Sequence, residues 1–179
     1  SVIRFAQRGI KRADPDFYAA YVMNYILGGG GFASRLYEEV REKRGLAYSA
    51  FSYLLPLDRA GIILGGAGTA NSRAGETLKV LGTEWRRMAE KGVDTKELKD
   101  AKTYLTGSFP LRFSSSGRIA GMLTSIQMEA LGIDYLDRRN GLIEMVTLAD
   151  VNRVAKRLLK PDALTFVVVG KPKGVTNGP

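Results

Sequence analysis

The sequence predicts an α+β domain with a single, mostly antiparallel sheet and helices packed on one of its faces. Three observations carry this. The chain opens on an alternation of apolar and polar residues, Val2 to Arg8. A hairpin pattern follows over Leu46–Leu55 and Ile62–Ala67, and a β-branched run, Leu164–Val169, closes the fold. Only helical periodicities lie between the hairpin and that last run. The order is strand, two helices, two strands, several helices, strand, which lacks the regular alternation of a doubly wound fold.

After the first strand, Asp14-Pro15 reads as a helix start, because a carboxylate accepts free amides and proline suits the first helical position. Phe17 to Leu27 is apolar on nearly every face, which predicts a buried helix ended by Gly28–Gly31. Ser34 is placed to cap the next helix, where Leu36 and Val40 share a face, and Gly45 to stop it. Leu46–Leu55 turns at Pro56, Asp58 and Gly61 into the antiparallel return strand Ile62–Ala67. Ala74, Leu78, Leu81, Trp85 and Met88 form one apolar helical stripe.

Asp94 with Glu97 is a capping-box pattern for a helix carrying Leu98, Ala101 and Leu105, closed by Phe109-Pro110. The loop Ser114–Gly117 leads to a helix with Ile119, Met122, Leu123 and Ile126, and a shorter helix is expected over Leu136–Met145. Thr147 with Asp150 repeats the capping box before Val151, Val154, Ala155 and Leu158, and Pro161 ends that helix. The run Leu164–Val169 is expected as a central strand buried on both faces. Lys171–Pro179 is expected to be a frayed tail after a single domain spanning 1–170.

Composition narrows the function classes. The chain has 179 residues, 45% hydrophobic and 25% charged, enough for one well-filled core. It has no histidine and no cysteine, which excludes disulfides, thiol catalysis and histidine or thiolate zinc ligands. The net charge of +9 permits anionic partners, but the basic pairs Lys11-Arg12, Arg86-Arg87, Arg138-Arg139 and Lys156-Arg157 are dispersed. With no basic run interleaved with aromatics, a solvated surface is the reading and no nucleic-acid partner is expected. No apolar run approaches the roughly 18 residues of a membrane span, and no targeting segment is visible. Since Ser1–Phe5 already reads as strand, the chain is expected to be part of a longer, two-domain protein. Its compartment is left open, with bacterial periplasm or cytoplasm expected before an organelle.

The most informative stretch is Gly28–Tyr48, GGGGFASRLYEEVREKRGLAY. It resembles the signature of the second-domain half of pitrilysin/insulinase-type zinc peptidases, which include the mitochondrial processing peptidases. The closing stretches TLADVNRVAK from Thr147 and TFVVVG from Thr165 resemble that family's domain ending. The resemblance implies a metallopeptidase-duplicate domain that kept the fold without the H-x-x-E-H zinc site. It also implies that Arg41 and Tyr48 help hold the substrate backbone. An arginine fork and a phenol are suitable donors to a carbonyl oxygen. From spacing alone, a surface arginine and a half-buried strand tyrosine is the plainer reading; the resemblance reverses that order. Arg44 competes, but the seven-residue spacing to Tyr48 favours Arg41.

Other patterns read plainly. The glycines Gly28, Gly29, Gly30 and Gly31 follow a helix rather than a strand and lack a following G-K-[ST], so they are not a phosphate loop. They read as a tight connection, to which the resemblance adds a gating role facing a substrate chamber. Glu38, Glu39 and Glu42 read as a solvated face with i,i+4 pairs such as Glu39–Lys43, not a cation site.

The function implied is a non-catalytic, substrate-positioning domain of a zinc-dependent endopeptidase. Zinc would belong to an H-x-x-E-H-bearing partner domain or subunit, in a homo- or heterodimer or in one chain, and the substrate would be an unfolded peptide. The chain alone is expected to hold no metal and cleave nothing. The alternative is an inactive assembly protein of the same fold, as with respiratory-complex core subunits.

Overall fold

The computed structural model describes residues 1–175. Within them one sheet of four strands is covered on one face by helices, as the element order predicts. The strands are β1 (Val2–Arg8), β2 (Ala47–Pro56), β3 (Gly61–Thr69) and β4 (Thr165–Val169), in spatial order β2-β3-β1-β4 and antiparallel throughout. The helices are α1 (Phe17–Asn24), α2 (Arg35–Tyr37), α3 (Ala74–Lys91), α4 (Thr95–Gly107), α5 (Ser116–Met128), α6 (Tyr135–Glu144) and α7 (Leu148–Leu158).

Period-two burial explains the layer. Ile3 and Phe5 of β1 and Ile63 and Ala67 of β3 point into the helices and are fully buried, while Val2, Val167 and Val169 stay exposed on the other face. Trp85 on α3 anchors the core edge-on to Phe5, with ring centroids 5.5 Å apart. Its indole N–H donates to Gln7 Oε1 at 2.9 Å, and Gln7 Nε2 donates to the Leu158 carbonyl at 2.7 Å, so sheet, α3 and α7 meet at one satisfied polar hub.

Three expectations need correction. The final run is not central: β4 is an edge strand with alternating exposure, and β1 and β3 hold the middle. A β-branched run reports strand propensity, whereas position in the sheet depends on which distant strand offers an open edge. Second, α1 begins at Phe17, after the Asp14-Pro15 pair. Asp14 Oδ1 does accept an amide, from Asp16 at 2.9 Å, but in the turn before the helix. Third, Ser34 occupies the N-cap position of α2, yet its hydroxyl donates back to the Gly31 carbonyl at 2.7 Å instead of capping.

Both predicted capping boxes form, at Asp94/Glu97 and at Thr147/Asp150. In the segment expected as a tail, residues 176–179 lie outside the described residues. At Lys173 the backbone N–H donates to the Asn71 carbonyl at 2.8 Å, and its carbonyl accepts from Gly75 at 3.2 Å.

Candidate functional site

The helical stretch that carries Arg41 is held from both ends. At its start, Arg35 is buried and donates from Nε and Nη2 to the Glu97 carboxylate at 2.6 and 2.7 Å, and from Nη2 to the Gly92 carbonyl at 2.8 Å. That bidentate fork ties α2 to the start of α4. The helix then widens to a π-type turn over Glu38–Glu42. Gly45, at φ +57°, reverses the chain, and Arg73 donates to the Arg44 and Gly45 carbonyls at 3.0 Å each. Gly45 N–H reaches the Arg41 carbonyl and Leu46 N–H the Val40 carbonyl, both at 2.8 Å. The first is the ordinary left-handed closure at a glycine, and the second spans one residue more than usual, a continuation of the wide turn.

Strand β2 starts at once, and it starts with a bulge. Ala47 pairs with Thr69 and Ser49 with Gly68, which leaves Tyr48 as the extra residue. Ala47 and Ala50 can then both point into the core, while Tyr48 is 81% exposed. A bulge re-aims a side chain in this way, and bulges recur beside functional sites.

Arg41 and Tyr48 are thereby brought together. The guanidinium carbon of Arg41 stands 4.6 Å from the centre of the Tyr48 ring and 4.9 Å from that of Tyr37. Arg41 Nη1 donates to the Tyr37 hydroxyl, and Nε lies 3.8 Å from a Glu42 oxygen. Among the described residues nothing accepts from Nη2 of Arg41. Tyr37 in turn meets the exposed Phe32 edge-on, with centroids 4.8 Å apart. Burial pushes the Tyr37 phenol up, against the pull of Arg41, so it remains a neutral partner. Tyr37 and Phe32 were not singled out in the sequence. The signal for Tyr37 was its position four residues before Arg41, on the same helical face.

Arg41 and Tyr48 share an open depression of about 550 Å³ with Leu46, Thr69 and Arg73. Its lining offers a phenol and guanidinium N–H groups as donors, beside the exposed Glu42 carboxylate. The donors can hold and polarise a carbonyl oxygen.

Arg44 points elsewhere, with Nη1 bonded to the carbonyl and carboxylate of Glu39. Glu39 also accepts from Lys43 at 2.7 Å, the expected i,i+4 pair, but it is buried and not part of the solvated face expected, because Arg44 and Lys43 fold over it. The bonds from Lys43 and Arg44 hold the Glu39 carboxyl below the usual range despite its burial. These carboxylates are committed to cations, and among the described residues no group of three or more metal-ligand side chains comes together. The residues present do not fit a zinc site.

The glycine run divides in two. Gly28 and Gly29 lie in a π-type turn, Tyr25–Gly29, that extends α1. Gly28 is wedged against β2: a Cβ there would collide with Ser52 Oγ and sit 2.8 Å from Leu36 Cδ1. Gly30 and Gly31 make the turn beyond it, with Gly31 at φ +56° in open space.

Residues 1–105 match the family described as the peptidase M16 inactive domain. An uncharacterized zinc protease of Streptomyces coelicolor is 35% identical over 154 residues, covering 84% of this chain and 33% of that protein. A non-peptidase homolog from Helicobacter pylori is 29% identical, covering 92% and 38%. The crystal structure of a peptidase M16 inactive domain from Pseudomonas fluorescens superposes with a TM-score of 0.82 at 34% identity, covering 92% of this chain and 39% of that one. The chain thus spans 33–39% of the length of these relatives. With its helix-backed antiparallel sheet and these matches, this chain belongs to the peptidase M16 inactive-domain family.

Proposed function

We propose that this chain positions an unfolded peptide for a zinc endopeptidase whose metal is carried by a partner domain or subunit, with Arg41 and Tyr48 gripping the peptide backbone near the scissile bond. The observation that carries the reading is the bulge at Tyr48. It turns a large aromatic side chain out of the sheet and sets it against the Arg41 guanidinium, at a cost in exposed surface that packing does not repay. Within the same reading, the run Gly28–Gly31 gates the chamber, and Gly31, the one of the four with open space around it, is the position freest to move.

The test is turnover of a quenched peptide by this chain assembled with its zinc-bearing partner. Tyr48→Phe removes one hydroxyl and little volume. If that hydroxyl donates to the developing oxyanion, kcat falls more than KM rises. Loss of one such donor costs about 10²–10³ in kcat in a well-formed site, and less where zinc carries most of the charge. Arg41→Lys also lowers kcat, because an ammonium lacks the planar fork. Arg44→Lys keeps a cation beside Glu39 and serves as the silent control.

A second reading, an inactive assembly protein, is favoured by the relative named as a non-peptidase homolog. Wild-type turnover in folded Tyr48→Phe and Arg41→Lys, with assembly intact, would transfer the assignment to that reading.

A further inference from the structure

We infer that α5 is a lid, pivoted at its C-terminal end and held open by like charge, that swings down onto the cleft beneath it. The cleft holds about 1000 Å³ and is separate from the Arg41 depression. Its body side includes Ser52, Tyr53 and Leu54 of β2 and the stacked rings of Tyr25 and Tyr104, with centroids 5.4 Å apart. α5 lines the other side with Arg118, Gly121, Met122, Ser125 and Ile126, which recur at helical spacing and so share one face. That face stands off from the body. A Cβ at Gly121 would meet nothing within 4 Å, and Met122 is only half-buried. Ile126, near the C-terminal end, is the one residue of the helix that is buried.

The two ends of α5 are anchored differently. At the C-terminal end the Glu129 carboxylate lies 3.8 Å from Arg12. Arg12 is itself fixed, 4.1 Å from the Phe17 ring centre and donating to the Tyr18 and Tyr135 hydroxyls at 2.9 and 3.3 Å. Ala130 takes the left-handed position after the helix, at φ +50°, with its N–H on the Gln127 carbonyl and that of Leu131 on the Ile126 carbonyl. Glycine is the usual residue there, so the pivot is a strained one. At the N-terminal end Arg118 reaches only its neighbours among the described residues: its backbone N–H donates to Ser115 Oγ at 3.4 Å and Nη1 to Ser114 Oγ at 2.9 Å. The loop Ser114–Gly117 supplies the slack for the swing. Closure lays the lid on an aromatic wall and removes apolar surface from water, which favours it. Charge opposes it, because four arginines line the cleft against one carboxylate, Glu129. Arg118 rides on the lid, and Arg112 precedes it. Both are exposed, and among the described residues neither has a carboxylate within 4.0 Å. Closure carries Arg118 into a cleft that already holds three other arginines, a repulsion that salt screens.

The chain has no cysteine, so two introduced thiols form the only disulfide available within it. The test pairs Gly121→Cys with Tyr104→Cys and, separately, with Tyr53→Cys, and follows cross-linking under copper-catalysed air oxidation. A disulfide sets two Cβ atoms about 3.8 Å apart, so it forms only when α5 comes inward. Ala120→Cys with the same partners is the control, because it lies on the opposite face of the helix. With at least one partner, position 121 should cross-link within single chains at least tenfold faster than position 120. That ratio should rise about threefold from low to high salt, as screening relieves the repulsion. Arg118→Gln should raise it at low salt and flatten its salt dependence. Melting curves check that each variant folds, and Tyr53 lies outside the Tyr25–Tyr104 stack, so its pair decides the matter if Tyr104→Cys does not fold. Absence of a cross-link from position 121 overturns the proposal. Equal rates from positions 120 and 121 do so too, since α5 then unfolds locally instead of swinging as a helix. A ratio indifferent to both salt and Arg118→Gln overturns the charge that holds the lid open. Cross-links only between chains overturn the lid and assign its face to a second copy. No outcome depends on turnover, so the lid and the Arg41–Tyr48 grip stand or fall separately.

Discussion

Tyr37 is the residue through which Arg41 is held, and its two parts are separable. Its hydroxyl accepts from Arg41 Nη1, and its ring lies under the guanidinium. Tyr37→Phe keeps the ring and frees the donor, so the assembled enzyme should lose less kcat than with Tyr48→Phe. Tyr37→Leu removes both supports and should lose more, with Arg41 no longer fixed toward Tyr48. A ranking in which Tyr37→Leu turns over faster than Tyr37→Phe would show that Tyr37 does not position Arg41. Gly28 makes a different kind of demand. A methyl group there meets Ser52 and Leu36 well inside contact distance. Gly28→Ala should therefore cost about 1–3 kcal/mol, the range for overpacking a filled core. Gly31→Ala, in open space, should cost only the strain of left-handed backbone, roughly 1 kcal/mol. Denaturant unfolding of the two variants checks the order.

Between elements, ion pairs decide orientation. Glu97 serves two: its Oε2 accepts from Asp94 N–H at 2.9 Å in the capping box, and both its oxygens accept from buried Arg35. Asp94→Ala should remove only the cap and cost about 1 kcal/mol. Glu97→Ala also leaves Arg35 buried without its partner and should cost roughly 2–4 kcal/mol. It should also loosen α2 and the Arg41 stretch, which native-state hydrogen exchange would detect.

At the other end of the layer, Arg153 and Arg157 of α7 reach Asp16 before α1, and Arg157 also reaches Asp14. The bond from Arg153 comes first among the causes that hold the Asp16 carboxyl below its ordinary 3.8. A carboxyl depressed in the folded state contributes stability that is present above the unfolded value and is lost as pH falls through the folded one. Asp16→Asn should thus be less stable than wild type by roughly 1 kcal/mol at pH 7. That gap should close as pH drops below about 3.8. A gap that stays constant down to pH 2 would show that the pair contributes nothing through charge.

Across the whole molecule, stability is uneven. Of the thirteen residues of α5 only Ile126 is buried, whereas α3 and α7 line the core with Trp85, Met88, Val151 and Val154. Amides of α5 should exchange first and those of α3 and β1 last, close to the global unfolding limit. Protection of α5 equal to that of α3 would contradict the open cleft beneath it. The sequence by itself determined whatever is written within a few residues. Both capping boxes, the Gly45 reversal, the apolar stripe through Trp85 and the lack of histidine and cysteine are local facts, and they fix helix starts, a turn and the absence of imidazole and thiolate groups. The seven-residue spacing of Arg41 and Tyr48 was legible for the same reason. Only the tertiary structure decided that β4 lies at the edge, that Tyr48 is the bulged residue, that Tyr37 joins Arg41, and that β2 borders a basic cleft. Strand order and register arise from pairing between segments as far apart as Val2 and Val169, and no local pattern encodes which edge is left open.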